Sequence, residues 1–213
     1  MAITDQQVLS EIQLHLQETP ADNGVTWYSG QWTAAEVLNY LNYRQYRFLK
    51  ETYILLKRGT VAVLPNTTRQ NLPTDWVCTQ RCVWQDSNGN FVEIPRGDGW
   101  EADHALVDWP YNQGTRPQIY TDGELPTLQI ETIPAANQPG AIGLLYAYQP
   151  TLLTGAGTNF TVPDEFVPAV KWGTISDMLA KVGRAHDPER AAYCEQRFDE
   201  GVQAAQIMLN GWM

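Results

Sequence analysis

Hydrophobic and polar positions along the chain follow two periods, and the switches between them divide it. Thr4 opens a Thr-x-x-Gln capping box, and Val8, Leu9, Ile12 and Leu16 follow on one narrow stripe. That pattern predicts a helix over residues 5–17. TPADNGVTWYSGQW is loop-forming, and Thr33 then opens a second box with Glu36 three residues on. From Ala34 to about Lys57, Val37, Leu38, Leu41, Phe48, Leu49, Leu55 and Leu56 share one arc at ~100° per residue. The spacing predicts one long helix that Gly59 stops. Tyr43, Tyr46, Tyr53 and Ile54 fall on a different flank.

From Thr60 the period becomes two. TVAVLP reads as a short strand, and DWVCTQRCVWQD, SNGN and FVEIPR read as strand, turn and strand. RPQIYTD, PTLQIETIP and AIGLLYAYQP are three more strands, with prolines at most of their ends. Five or six short strands predict a small antiparallel sheet or sandwich. After the Gly-rich TLLTGAGTNFT the helical period returns. Pro163 stands at a first helical position with Asp164 and Glu165 behind it. Phe166, Val167, Val170, Trp172, Ile175, Met178, Leu179 and Val182 cover more than half the helix circumference, so this helix is expected between neighbours, with Gly183 ending it. Asp187-Pro188-Glu189 starts a last helix with a narrow stripe of mostly small residues: Ala191, Cys194, Phe198, Val202, Ala205 and Leu209. Gly211 reads as its C-cap.

The expected fold class is α+β. Residues 1–59 and 160–213 form a helical bundle, and residues 60–159 are an inserted β-rich region. VPDEF is the point where the chain returns from the sheet to the bundle.

Composition narrows the function classes. Net charge is −10, with 24 acidic and 14 basic residues, which argues against wrapping nucleic acid, because phosphate contacts need Lys and Arg. No window of about 18 apolar residues exists to span a membrane. MAITDQQVLSEI lacks the regions of a secretory signal, so synthesis in a cytoplasm is expected. Eight Trp and ten Tyr are many for 213 residues; such rings suit interiors and interfaces alike. The odd cysteine count, Cys78, Cys82 and Cys194, is no disulfide framework. In a regular strand Cys78 and Cys82 share a face roughly 13 Å apart, and they read as small buried hydrophobes.

Candidate chemistry is sparse. The histidines His15, His104 and His186 lie in no metalloprotease or hydrolase motif, and GAGTNF lacks the Lys-Ser/Thr end of a phosphate loop. WEADHALVDW offers Glu101, Asp103, His104 and Asp108 for metal or acid–base work, and two tryptophans for stacking a sugar. A polar Gly/Asp-rich loop reads more simply as a solvated loop. No catalytic residue, metal site or cofactor is expected, and the chain reads as no enzyme. Arg44, Arg47, Lys50, Lys57 and Arg58 are interleaved with the tyrosines of the second helix, a stripe suited either to an acidic partner or to solvent.

Five stretches taken in order resemble one family. They are WTAAEVLNYLNYRQYRFLKET; NLPTDWVCTQRCVW; GTRPQIYTDGELPTLQIETIP with LLYAYQPTLL; and VPDEFVPAVKWGTISDMLAKVGRAHDPERAAYCEQRF. The chain resembles the head-to-tail adaptor, or connector, proteins of tailed bacteriophages, most of all those of short-tailed phages. The resemblance implies a structural virion protein at the head–tail junction. It implies a homo-oligomeric ring, usually of twelve copies, that docks to the portal protein ring, meets a downstream tail or nozzle protein, and lets DNA pass during ejection. Twelve copies would carry roughly −120 in charge, and an acidic lumen repels phosphates and lets a genome slide. The positions matching the portal-reaching end are Leu209, Trp212 and Met213. The tyrosine flank, Tyr43, Arg44, Tyr46, Arg47 and Tyr53, is the expected subunit interface. Other readings are a tail tube or nozzle subunit, and a ligand-binding module using residues 100–109.

Overall fold

A computed structural model of the chain describes residues 2–18, 22–27, 29–98, 100, 104, 113–122 and 128–210. Four α-helices and nine strands are found among them: α1 Asp5–His15, α2 Ala34–Thr52, β1 Leu56–Val63, β2 Arg69–Asn71, β3 Trp76–Gln85, β4 Phe91–Ile94, β5 Gln113–Gly114, β6 Ile119–Thr121, β7 Gln129–Ile133, β8 Ala135–Ala136, β9 Gly140–Tyr148, α3 Val167–Ala180 and α4 Pro188–Asn210. The class is α+β. Contacts divide the chain into one unit of Met1–Ile54 with Pro150–Met213, and a second of Leu55–Gln149.

In the first unit both predicted capping boxes are formed. Thr4 Oγ1 accepts the Gln7 N–H while Gln7 Oε1 accepts that of Thr4, and Thr33 and Glu36 repeat the exchange. Helix α2 is shorter than its apolar arc suggests. Tyr53 takes a left-handed conformation (φ 51°, ψ 28°) and its N–H closes on the Leu49 carbonyl, so the helix ends at Thr52. The expected continuation to Lys57 is therefore wrong, and Leu56 opens a strand instead. Gly59 is no helix stop: it lies inside β1, where any side chain would meet the Tyr146 ring at 2.9 Å.

A short 3₁₀ turn, Asp164–Phe166, leads from Pro163 into α3. Helix α3 packs against α1, α2 and α4, which is why Val167, Val170, Ile175, Met178 and Leu179 are all buried. Val182 departs from expectation. Lys181 is already extended, and Val182 beyond it is 89% exposed. The small-residue stripe of α4 does allow close approach: Gly201 lies against Ala169, where a side chain has no room, and Gly173 leaves space for the Phe198 ring. Ala191, Cys194, Phe198, Val202 and Ala205 are buried.

The loop between Pro150 and Val162 is fixed by side chains of α1 and α2. The Asp5 carboxylate is fully buried and accepts the N–H groups of Thr154, Gly155 and Gly157 at 3.1, 2.7 and 2.9 Å. Asn42 accepts the Leu153 N–H and donates to its carbonyl, and Gln45 bridges the Thr151 carbonyl and the Thr161 N–H. Polar side chains here replace the partners a strand would have supplied.

The second unit holds a four-stranded antiparallel sheet in the order β1-β9-β3-β4, a three-stranded antiparallel sheet β2-β7-β6, and the short parallel pair β5-β8. The β3–β4 hairpin is the predicted one. The strands the periodicity missed are two- and three-residue pieces. One buried cluster, including Val61, Cys82, Trp84, Ile130, Ile142 and Tyr146, joins the elements of this unit. Strand β3 carries two bulges, and the one between Thr79 and Arg81 overturns the expectation for its cysteines. Cys78 pairs with Ala147 and Cys82 with Leu144, neighbours of opposite parity on β9, so the two thiols lie on opposite faces of the sheet.

Candidate functional site

Along α2, Tyr43, Tyr46, Lys50 and Tyr53 follow at intervals of three, four and three, the spacing of a straight stripe on a helix. Val37, Leu41 and Phe48 on the other side are fully buried, so burial of that stripe turns the tyrosines outward. Tyr43 is 57% exposed, and Tyr46 and Tyr53 are each more than a third exposed. The tyrosines, with Arg47, Lys50, Glu51 and Gln206, line a groove of about 560 Å³. Gln206 closes one side by donating from Nε2 to the Glu51 carbonyl at 2.9 Å, which holds the far part of α4 beside the end of α2.

The two arginines have different fates. Arg47 stays at the groove edge and donates to Glu51 and Glu195, each at 2.6 Å. Arg44 turns inward. Nε and Nη2 donate to the two Asp177 oxygens at 2.6 Å, and Nη1 donates to Glu195 at 2.9 Å. Both guanidiniums lie about 5 Å from the Phe198 ring, Arg44 at 5.0 Å and Arg47 at 4.9 Å. Burial works against the charge on Arg44, yet its hydrogen bonds to Asp177 and Glu195 win and raise its pKa further. Burial likewise pushes Glu195 up, and the hydrogen bonds from Arg44 and Arg47 outweigh it and hold the carboxyl below its usual range. Arg44 thus serves the interior of the helical unit, while Tyr43, Tyr46, Arg47 and Tyr53 remain at its surface. The signal was in the spacing: Arg44 is seven residues after Val37 and four before Phe48, in the middle of the buried arc.

At the end of α4, Leu209 is half-buried. Trp212 and Met213 lie outside the described residues, as does Gly211. Ile207 and Met208, which the periodic stripe passed over, are 71% and 55% exposed there.

The aromatic and acidic loop after β4 is described only at Trp100 and His104. Both are exposed; their ring centroids are 4.3 Å apart, and His104 Nδ1 is 2.9 Å from the Trp100 carbonyl. Glu101, Asp103, Asp108 and Trp109 lie outside the described residues. No group of three His, Cys, Asp or Glu able to hold a metal occurs among the described residues, and no helix among them is long and apolar enough to cross a membrane. His15 is exposed and meets the Trp172 ring edge-on at 5.0 Å.

Comparison with curated proteins gives no match. A family model does match: that of the SU10 adaptor protein covers residues 6–211. The match spans helices and strands alike. The chain belongs to the SU10 adaptor protein family and is a structural adaptor of bacteriophage.

Proposed function

We propose that this chain is one subunit of a ring, of about twelve copies by analogy with adaptors, that joins the portal vertex to the tail and surrounds the path of the DNA. The observation that carries the reading is the family match over residues 6–211. The exposed tyrosine stripe supports self-association, because Tyr and Arg are the side chains that most often anchor protein interfaces. Tyr43, Tyr46, Arg47 and Tyr53 form the subunit contact in this reading. Leu209, Trp212 and Met213 form the portal contact, together with the exposed Ile207 and Met208. The net charge of −10 suits a lumen that DNA phosphates traverse without binding. The role is mechanical and involves no turnover, and the place of work is the virion at the head–tail junction.

The test is to mix the purified chain with portal rings from the same phage and image the product by electron microscopy. A new ring layer on the portal is the expected result. Absence of a layer would move the chain to a more distal position, a tube or nozzle subunit, and the nozzle protein would be the next partner to mix.

A further inference from the structure

Strand β9 reads Gly-Ala-Ile-Gly-Leu-Leu-Tyr-Ala-Tyr, with no charged residue and apolar side chains on both parities. Strands of that kind are covered on both faces, whereas an antiparallel sheet with one wet face alternates apolar with polar. Here the second face is covered at Ala147 and open along the rest of the strand. Ile142, Leu144 and Tyr146 are buried, while Ala141, Gly143 and Leu145 on the other face stay half-exposed.

The register places their neighbours. Ala141 stands between Ala62 and Gln85, Gly143 between Thr60 and Val83, and Leu145 between Arg58 and Arg81, with Phe91 beside Gln85. The face is therefore low and apolar in its middle, and Arg58 and Arg81 flank one end. Phe91 stands at the other end, 67% exposed. A shallow cavity of about 440 Å³ lies over Gly143, bounded by Arg58, Arg81, Phe91 and Leu145. Among the described residues Arg58 has no ionic partner. Arg81 meets Glu93, which stands opposite Val83 on the same face, at 3.3 Å with both side chains more than half exposed, a pair of small worth.

We propose that this sheet face is a second interface, and that its occupant is the acidic surface of another copy of the same chain. Charge selects the occupant. A chain with ten more acidic than basic residues repels its copies wherever like surfaces meet, and a basic apolar face is where that repulsion reverses. The chain also carries unpaired acids: Glu165 before α3 and Glu189 at the start of α4 are each exposed and have no ionic partner among the described residues. A basic face on an acidic one is a heterologous contact, and repeating it closes a ring or runs on as a filament. The proposal rests on the reading of the chain as a self-associating adaptor.

The test places the photo-cross-linker p-benzoylphenylalanine at position 91 of the full chain, alone and with Arg58→Glu and Arg81→Glu together. Irradiation is carried out on the free chain and after mixing with portal rings. A product of twice the chain mass is expected in at least one state. It should fall about tenfold in the double variant, the effect of ~1.4 kcal/mol, and weaken at high salt. Unchanged thermal melting would confirm that the double variant folds; should it melt early, Arg58→Gln with Arg81→Gln replaces it. Absence of a chain-to-chain product in both states, a product insensitive to the arginines, or a product only with portal or tail protein would overturn the proposal. Failure of the adaptor reading is seen separately, as no new layer on the portal with the unmodified chain.

Discussion

Arg44 on α2 and Asp177 on α3 form a two-pronged ion pair. Both nitrogen–oxygen distances are 2.6 Å, and the arginine side chain is only 5% exposed. The pair ties two helices whose sequence positions are 133 residues apart. Asp177→Ala takes two charge-assisted hydrogen bonds from the buried Arg44 and leaves it Glu195 alone, which should destabilise the chain by about 2–3 kcal/mol. Arg44→Met should cost less, because Asp177 and Glu195 are 22% and 31% exposed and can be rehydrated. Urea unfolding of the two variants checks the order, with a shift in midpoint and an unchanged slope.

Asp5 presents a second buried charge, this one satisfied by backbone alone. Asp5→Ala leaves the N–H groups of Thr154, Gly155 and Gly157 without an acceptor and should cost about 3 kcal/mol. Asp5→Asn should also destabilise, since an amide turns a donor toward N–H groups that need an acceptor. Amide hydrogen exchange at Thr154, Gly155 and Gly157 should accelerate in both variants more than in the β3–β4 hairpin.

Acid sensitivity has a traceable source in the loop after α1. Hydrogen bonds from Thr26 and Gln13 hold the Asp22 carboxyl at about 2, below its ordinary 3.8. A carboxyl depressed by folding adds stability that is complete above its unfolded value and disappears as pH falls through its folded one. The contribution of Asp22 is therefore lost between about pH 4 and pH 2. Asp22→Asn should flatten the acid limb of a stability-versus-pH curve in that window and leave the neutral region parallel to the parent.

All three cysteines should be slow to react in the native chain. Burial, together with the charge of Asp122, pushes Cys82 up to about 12, and burial raises Cys78 and Cys194. The thiolate is the reactive species. Labelling with an aromatic disulfide at mildly alkaline pH should stay far below three thiols per chain until denaturant is added. Rapid native labelling of Cys82 would contradict its placement opposite Leu144.

The tyrosine stripe gives a prediction about assembly alone. Tyr43→Ala and Tyr46→Ala remove exposed rings, so melting temperature should hardly move. Ring formation should weaken by about 2 kcal/mol for each ring that is packed at the contact. Electron microscopy of portal mixtures together with thermal melting separates the two effects.

Much of the fold was legible because its signals are local. The capping boxes at Thr4 and Thr33 depend on residues three apart, and the hairpin around SNGN depends on alternation flanking a turn. The end of α2 was not legible, because Leu55 and Leu56 continue the helical arc and only the left-handed Tyr53 breaks it. The bulges in β3 were hidden for a similar reason: an extra residue changes parity without changing composition. The grip of Asp5, Asn42 and Gln45 on the loop joins residues more than a hundred positions apart, and no periodicity encodes that. Of the candidate surface, the tyrosines and Arg47 could be read from the helical spacing. Arg44 was drawn to them by its charge, although its angle on the helix already placed it inside.

The helical unit is made from the two ends of the described chain, and this sets an order of events during synthesis. Trp32 donates its indole N–H to the carbonyl of Met178, 146 residues later, and α2 buries its apolar arc against an α3 that a ribosome delivers only after the whole sheet unit. The strands between Leu55 and Gln149 have all their partners nearby and can close first. Until α3 emerges, α1 and α2 hold an uncovered apolar surface, the period when a nascent adaptor has most need of a chaperone.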